Sequence, residues 1–474
     1  MREVKRRVES NFWDWKRVMD NVEQWAEEQF GQVGLGDQRR TERVVWMAAR
    51  MAARPMGSLP QQMGDWRGLK AAYRLLDNAA VSHEALSRPH WEQTRQQASM
   101  EGQTVLMVSD ITELDYSPHP SVKGLGPIGN HRGQGLMVHN TLAIVPETKA
   151  VIGLAYQQVW IRDQVVYSKT ESRAQRRQRD NRQSRKWGQA GVAVGRPPAT
   201  TRWVYVADRE SDLFEFFHSI LDTGAAFCVR AQHDRRVMDG ETMGIYLMQM
   251  MRALPAQGER ELRLPAQRGQ AERTATLSVS WYTLTLVPPR GEVDKRPVTV
   301  TVVRTWEAQP PQEGVPLEWL LLTSVVVNTL DEALERMEWY TARWVVEEYH
   351  SCLKTGCQIE AHRLQERLRL ERLLAFLSIM AVRLLQLRDL ARQSPQVLAL
   401  TLVEPLLVQV MAQHLLTDPR HLSASQFWQG VASLGGFPGR KSDGRPGWKR
   451  LWVGWLYLLQ LAQGVRLAQS LPPL

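Results

Sequence analysis

The chain has 474 residues, 43% of them hydrophobic, with 24 Pro, 32 Gly and a net charge of +10. This length exceeds one ordinary domain, so about two to four are expected, and the composition excludes a disordered or fibrous chain. A basic surplus favours a polyanionic partner, nucleic acid first and an anionic membrane second.

Three cysteines in so long a chain, Cys228, Cys352 and Cys357, exclude a disulfide framework and point to a reducing compartment. Residues 1–7 are basic, but no apolar run follows them, so no secretory leader is expected. The most apolar long run, residues 370–390, is interrupted by Arg372, Arg383 and Arg388. It reads as a buried helix with polar edges, not a membrane span. The expectation is a soluble, cytoplasmic protein.

Residues up to about 98 read as helices. The stretch 21–30 is amphipathic, 34–37 makes a turn, and Asp37 can cap a helix carrying Arg39, Arg40 and Arg43. A further helix carries Lys70, Tyr73 and Arg74. Cationic and aromatic side chains alternating on short helices suit docking on a DNA backbone, although ordinary solvated faces have the same look.

From Thr104 the texture changes. T-V-L-M-V-S-D is a short apolar strand ending in Asp110, and 137–145 and 151–160 are strand-like, joined by a glycine-rich connection at 124–135. Residues 173–186 carry Arg173, Arg176, Arg177, Arg179, Arg182, Arg185 and Lys186, a solvated segment or one that tracks phosphates. Another strand, 202–207, ends in Asp208, after which R-E-S-D-L-F-E-F-F opens a helix. Asp208 suits a helix N-cap and Asp110 a turn, but both sit at the carboxyl end of an apolar strand, where ligand sites of α/β sheets concentrate. Residues 225–321 are β-rich, and from 364 the chain is helical and rich in Leu.

Residues 340–354 contain no Gly or Pro and read as one helix. With Tyr340 at zero, Arg343 falls at about 300°, Glu347 at about 340° and Lys354 at about 320°, a stripe roughly 60° wide. A solvated face with an Arg343–Glu347 pair fits that spacing, as does a site holding a metal ion beside a phosphodiester. Glu348 falls at about 80°, off the stripe, which favours Glu347. Asp110, Asp208 and Glu347 together could bind two Mg2+ ions roughly 3.5–4 Å apart for phosphodiester displacement. Cys352, Cys357, His350 and His362 invite zinc, but a C-x4-C spacing on one helix is poor for a closed site.

The Y-x2-R-x3-E-x6-K spacing of Tyr340, Arg343, Glu347 and Lys354 follows D-I-T-E-L-D-Y and A-D-R-E-S-D in order. R-G-x4-V-H-N at Arg132 to Asn140, W-L-L-L-T-S, K-T-G, A-V-R-L-L-Q-L-R, G-D-Q-R-R-T and K-A-A-Y-R accompany it. In these motifs most of the chain resembles bacterial DDE transposases of the insertion-sequence-four group. The resemblance implies an α/β fold: an RNase H-like core (99–224 and 322–365) with a β-rich insertion (225–321). A helical DNA-end-binding domain (1–98) and a helical dimerisation region (366–474) flank it. It further implies Asp110, Asp208 and Glu347 as a Mg2+-binding triad, with Mn2+ able to substitute. Tyr340, Arg343 and Lys354 would hold DNA phosphates, Trp319 would stack on a flipped base, and Arg209 and Glu210 would contact the strand. Read without the resemblance, Trp319 is a core residue. The partners implied are double-stranded transposon ends, target DNA and a second copy of the chain, with no membrane. Ser351 departs from the pattern, standing where relatives often carry Lys. The implied reaction is cut-and-paste transposition through a hairpin. The rivals are a nuclease that cuts without rejoining and a regulator with a decayed site, against which the three acids speak.

Overall fold

The computed structural model describes residues 22–100, 102–129, 132–162, 183–240, 242–264, 273–289, 296–309, 316–392, 395–440 and 443–471. Most of the basic run at 173–186, and residues 1–7, lie outside the described residues. Two compact units emerge, one from residues 22–90, 119–124 and 348–471, the other from 91–118 and 125–347.

The first unit begins with short helices: α1 (Val22–Phe30), α2 (Gln38–Ala53), α3 (Leu59–Met63) and α4 (Trp66–Asp77), followed by α5 (His83–Gln97). Asp37 caps α2 by accepting the Arg39 amide at 2.9 Å, and Asp65 caps α4 through the Gly68 amide at 2.8 Å. Each cap satisfies a backbone donor that the helix itself leaves unpaired.

The second unit is built on one sheet. Its strands are β1 (Thr104–Asp115), β2 (Gly126–Ile128), β3 (Gly133–Ile144), β4 (Val151–Trp160), β5 (Arg202–Ala207) and β6 (Ala226–Arg230). There follow β7 (Arg236–Asp239), β8 (Thr242–Tyr246), β9 (Gly258–Leu264), β10 (Arg273–Leu286), β11 (Val298–Glu307) and β12 (Glu318–Thr323). Their order is β2-β3-β1-β5-β6-β12-β11-β10-β7-β8, with β4 on β3 and β9 on β10. β1 is antiparallel to β3 and parallel to β5, and β5 is parallel to β6. The β-rich stretch 225–321 therefore makes no separate sheet. β6 pairs with β5 on one side and with β12 on the other.

Helices cover this sheet: α6 (Gln183–Val194), α7 (Phe214–Asp222), α8 (Leu247–Ala253), α9 (Leu330–Thr341) and α10 (Trp344–Ser351). Gly188 and Gly191 let α6 approach α7, since a Cβ at Gly191 would lie 2.2 Å from Ile220 Cδ1. Beneath them runs an aromatic core in which Trp187 meets His139 at 4.9 Å and Phe217 stacks on Phe227 at 4.6 Å. Such pairs add to simple burial.

The sequence reading of 340–354 as one helix needs correction. α9 ends at Thr341 and α10 starts at Trp344, joined by tight bonds from Arg343 N to Tyr340 O and from Val346 N to Arg343 O, both 3.1 Å. After α10 the backbone widens into a π-helical turn (Cys352–Gly356), with Cys357 N on Cys352 O at 2.8 Å. A three-residue step turns the chain further than an α-helical one and a π turn less, so the assumed single stripe is not preserved.

The first unit is completed by α11 (Arg367–Arg392), α12 (Ala399–Leu402), α13 (Pro405–His414), α14 (Ala424–Leu434) and α15 (Trp448–Ser470). α11 is the centre of this unit and lacks the polar edges expected of it, because Arg383 and Arg388 are buried. Arg388 pairs with Glu348 and Asp389, and Arg383 lies over the Trp25 ring at 5.1 Å. Buried cations persist only with such partners. Arg372 donates to Leu76 O and Val81 O, both 2.5 Å, and Phe30 stacks on Phe376 at 5.2 Å, tying the first helices to α11. Among the described residues no helix is long and apolar enough to cross a membrane.

Gly135 on β3 faces Asp115 in the β1 register, and a Cβ there would lie 2.0 Å from Leu114 O. That obstacle is backbone and cannot swing aside. Gly135→Ala is expected to cost about 1–3 kcal/mol, read as a lower Tm in thermal unfolding; an unchanged Tm would contradict this register.

Candidate active site

β1, β5 and β6 run parallel and bring three charged side chains to one level. The last registered β1–β5 pair is Val108 with Val206, so two residues further each strand places an aspartate, Asp110 and Asp208. The last β5–β6 pair is Ala207 with Val229, and the next residue on β6 is Arg230. Paired residues of neighbouring strands share a face, so register alone brings these groups together.

Asp110 is not at a strand end, contrary to the sequence reading. β1 continues to Asp115 because β3 goes on pairing with it, Asn140 opposite Asp110, after β5 has stopped. The aspartate thus projects from continuous strand beside a terminated one, a rigid mount with an open flank. Its Oδ1 accepts the Ile111 amide at 2.8 Å. Asp208 does cap a short 3₁₀ turn (Arg209–Ser211), with its Oδ1 on the Glu210 amide at 2.9 Å.

Glu347 enters from α10. One guanidinium nitrogen, Nη1 of Arg343, bridges it to Asp110, 3.1 Å from Glu347 Oε1 and 3.2 Å from Asp110 Oδ2. Asp110 and Glu347 each bring a carboxylate oxygen within 4.8 Å of the other. Asp208 is not in that close group, but it acts electrostatically on Asp110. Glu348, the rival of Glu347, is taken up by Arg388 in the first unit.

Burial pushes the Asp110 carboxyl up to about 7; Asp208 and Glu347 push the same way, and Arg343 works against them. Burial and then Asp208 also raise Glu210. The acids are therefore under-neutralised by the chain's own cations. A divalent ion would correct that, and hard carboxylate oxygens are the donors Mg2+ and Mn2+ prefer.

The DNA-facing candidates divide. Tyr340 is buried, sits edge-on to the half-exposed Trp319 at 5.8 Å and shares a hydrogen bond with Arg230. Trp319 is thus no core residue. Arg209 is exposed beside Asp208, and after burial it is the next influence that depresses Arg230. Lys354 belongs to the first unit, where it pairs with Glu360 at 3.6 Å. In that unit Arg39, Arg43, Lys70 and Arg74 are exposed, and Tyr73 is half-buried. Arg40 is partly committed, donating to Leu35 O at 2.9 Å. Arg43 and Arg50 both lie 5.0 Å from the Trp46 ring.

Sequence reasoning missed two cations. Arg230 ends an apolar strand, A-F-C-V-R, and its signal was a charged residue closing an apolar run, as Asp110 and Asp208 do. Arg162 joins Glu113 at 2.9 Å to Gln183 at 2.8 Å, and Gln183 reaches Glu210 at 3.0 Å. Those partners are remote in sequence and nothing local marks them.

Asp110 carries a stability consequence. Its proton is held to about pH 7 when folded and lost near 3.8 when unfolded, so folding stability falls as pH rises between those values and stays reduced above. Asp110→Asn removes the penalty and is expected to stabilise by on the order of 2–4 kcal/mol at pH 8. The gain should shrink towards pH 5 in denaturant titrations; a gain independent of pH would refute the assignment.

Two families match this chain: residues 22–81 match transposase DNA-binding, and residues 152–383 match the transposase DDE domain.

Proposed function

With these two domains the chain is a DDE transposase, and from that premise we propose a cut-and-paste enzyme that excises and rejoins DNA at transposon ends. Asp110, Asp208 and Glu347 are the proposed metal ligands. The observation that carries this is the pair of aspartates level on adjacent parallel strands, with Glu347 reaching Asp110 from α10. When bound, Mg2+ or Mn2+ supplies an activated water and stabilises the departing oxygen.

The remaining residues position DNA. Arg343 and Tyr340, with Arg209 and Arg230 beside them, offer donors to phosphates at the mouth of the site. Trp319, half-exposed and edge-on to Tyr340, suits stacking on an extruded base. Lys354 is assigned a further phosphate, and Arg39, Arg40, Arg43, Lys70, Tyr73 and Arg74 the transposon end. Arg343 has two competing uses, holding the carboxylates together and holding a phosphate, so substrate and metal would be taken up in concert.

The chemistry proposed is a first-strand nick by water, then attack of the freed 3′-hydroxyl on the opposite strand to close a hairpin. A second water opens the hairpin, and the 3′-ends join target DNA. An RNase H-like core is supported by the order β4-β3-β1-β5-β6, its first three strands antiparallel and the last two parallel to β1. The chain's motifs favour the insertion-sequence-four group and, within it, likeness to the transposase of transposon five. The Leu-rich helical region 366–474 is the proposed dimerisation region.

The test uses DNA carrying the inverted repeats that flank the coding region, with Mg2+. Glu347→Gln is expected to lose at least about a hundredfold in cleavage while DNA binding persists, and Glu348→Gln to retain metal-dependent cleavage. Undiminished cleavage by Glu347→Gln would remove that residue from the site. Joined target products separate a transposase from a nuclease that only cuts.

A further inference from the structure

Asp212, four residues after Asp208, is fully buried. A carboxylate out of water is costly unless donors surround it, and here they do. Its Oδ2 accepts the Gln232 amide at 2.8 Å and the His233 amide at 2.9 Å, two successive N–H groups that form a small anion nest. Its Oδ1 accepts Arg235 Nη2 at 2.6 Å, and the same nitrogen donates to the Asp212 carbonyl. The Arg235 guanidinium is buried too, 5.0 Å from the Phe214 ring and 5.7 Å from the Phe217 ring on α7. A group so enclosed touches neither metal nor DNA.

What it does is join two chain segments that the sheet has released. β5 and β6 pair as far as Ala207 with Val229 and then part. Asp208 and Arg230 are the first residues beyond that fork. On the Asp208 side, Asp212 belongs to the same turn, its amide donating to Arg209 O at 3.1 Å and Ser211 Oγ donating to Asp208 O at 2.7 Å. On the Arg230 side, the partners of Asp212 begin two residues further on, at Gln232. The two site residues therefore lie in an eye closed at both ends.

Inside this eye opposite charges sit on neighbouring strands, and they attract. Yet the Arg230 donors go elsewhere, Nη2 to Glu318 O at 3.2 Å and a further bond to Tyr340. Among the described residues no ion pair joins Arg230 to Asp208. Such a pair would neutralise Asp208 and occupy the oxygens a divalent ion needs.

We propose that Asp212 is a positioning residue: by fixing the loop after Arg230 to the turn after Asp208, it keeps the guanidinium off the aspartate. Asp208 then stays open to a divalent ion and Arg230 to a phosphate. The proposal rests on the reading of Asp208 as a metal ligand.

The experiment is calorimetric titration of the full chain with Mn2+, in a double-mutant cycle with Arg230. Asp212→Leu with Arg235→Met replaces the buried pair by apolar side chains, an exchange that is often neutral or stabilising, and leaves the amides of the exposed Gln232 and His233 to water. Affinity for Mn2+ is expected to fall on the order of tenfold, because a charge-assisted bond from Arg230 now competes for Asp208. With Arg230→Ala added, the same variant should bind Mn2+ as Arg230→Ala alone does, a rescue that a merely structural pair would not give. Asp212→Asn, which keeps the shape and weakens the same bonds, supplies the comparison if the double variant does not fold. An equal loss with and without Arg230, or no loss in either background, would overturn the proposal. Mn2+ binding that is absent, or indifferent to Asp208→Asn, would bring down the metal-site reading and this inference with it. Binding that needs Asp208 but ignores Asp212 would sink this inference alone.

Discussion

Like charges brought together and only partly neutralised are the constraint on which the second unit depends. Asp110 and Glu347 share a single guanidinium nitrogen, and Asp208 adds a further negative field. Such a cluster is unfavourable in itself: burial first, then Asp208 and Glu347, raise the Asp110 carboxyl. It holds because its members are mounted on elements that have other reasons to be where they are. β1 is clamped between β3 and β5, β5 is buried beyond Arg202, and α9 is tied to α10 by tight backbone bonds. Folding free energy stored in packing is spent on holding the acids in register, a familiar exchange of stability for activity.

The same logic accounts for the buried cations. Arg388, buried near the end of α11, would be a liability without Glu348 and Asp389, and its pairing also sorts the two adjacent glutamates. Glu348 is taken by Arg388, while Glu347, one residue earlier on the helix, is left with Arg343 and Asp110. A helix turn of about 100° per residue is enough to send neighbours to different environments. Around Asp208 the Arg162–Gln183–Glu210 chain gives a second set of polar constraints.

Much of this was legible before any coordinates. The strand at 151–160 and the cap at Asp37 are local signals, and local signals survive folding. The spacing favoured Glu347 over Glu348, and Glu347 is the one that lies beside Asp110, although the single helix assumed for it is broken. What remained hidden was set by long-range pairing. The extension of β1 past Asp110 depends on β3, some thirty residues later, and no propensity near Asp110 announces it. The break between α9 and α10 contains neither Gly nor Pro, so a helix reading passes over it. Arg383 and Arg388 looked like helix edges because their partners, Trp25 and Glu348, lie elsewhere in the chain. The joining of β6 and β12 into one sheet is likewise a matter of pairing that composition cannot report.

If Asp110, Asp208 and Glu347 form the proposed metal-binding unit, its proton must leave before the ion enters. Mn2+ binding to the full chain, followed by electron paramagnetic resonance across a pH series, tests it most directly. Affinity should be flat above pH 7, weaken by about tenfold per pH unit below it, and collapse in Asp110→Asn, Asp208→Asn and Glu347→Gln alike. Binding that ignores pH, or that survives replacement of Glu347, would contradict the account.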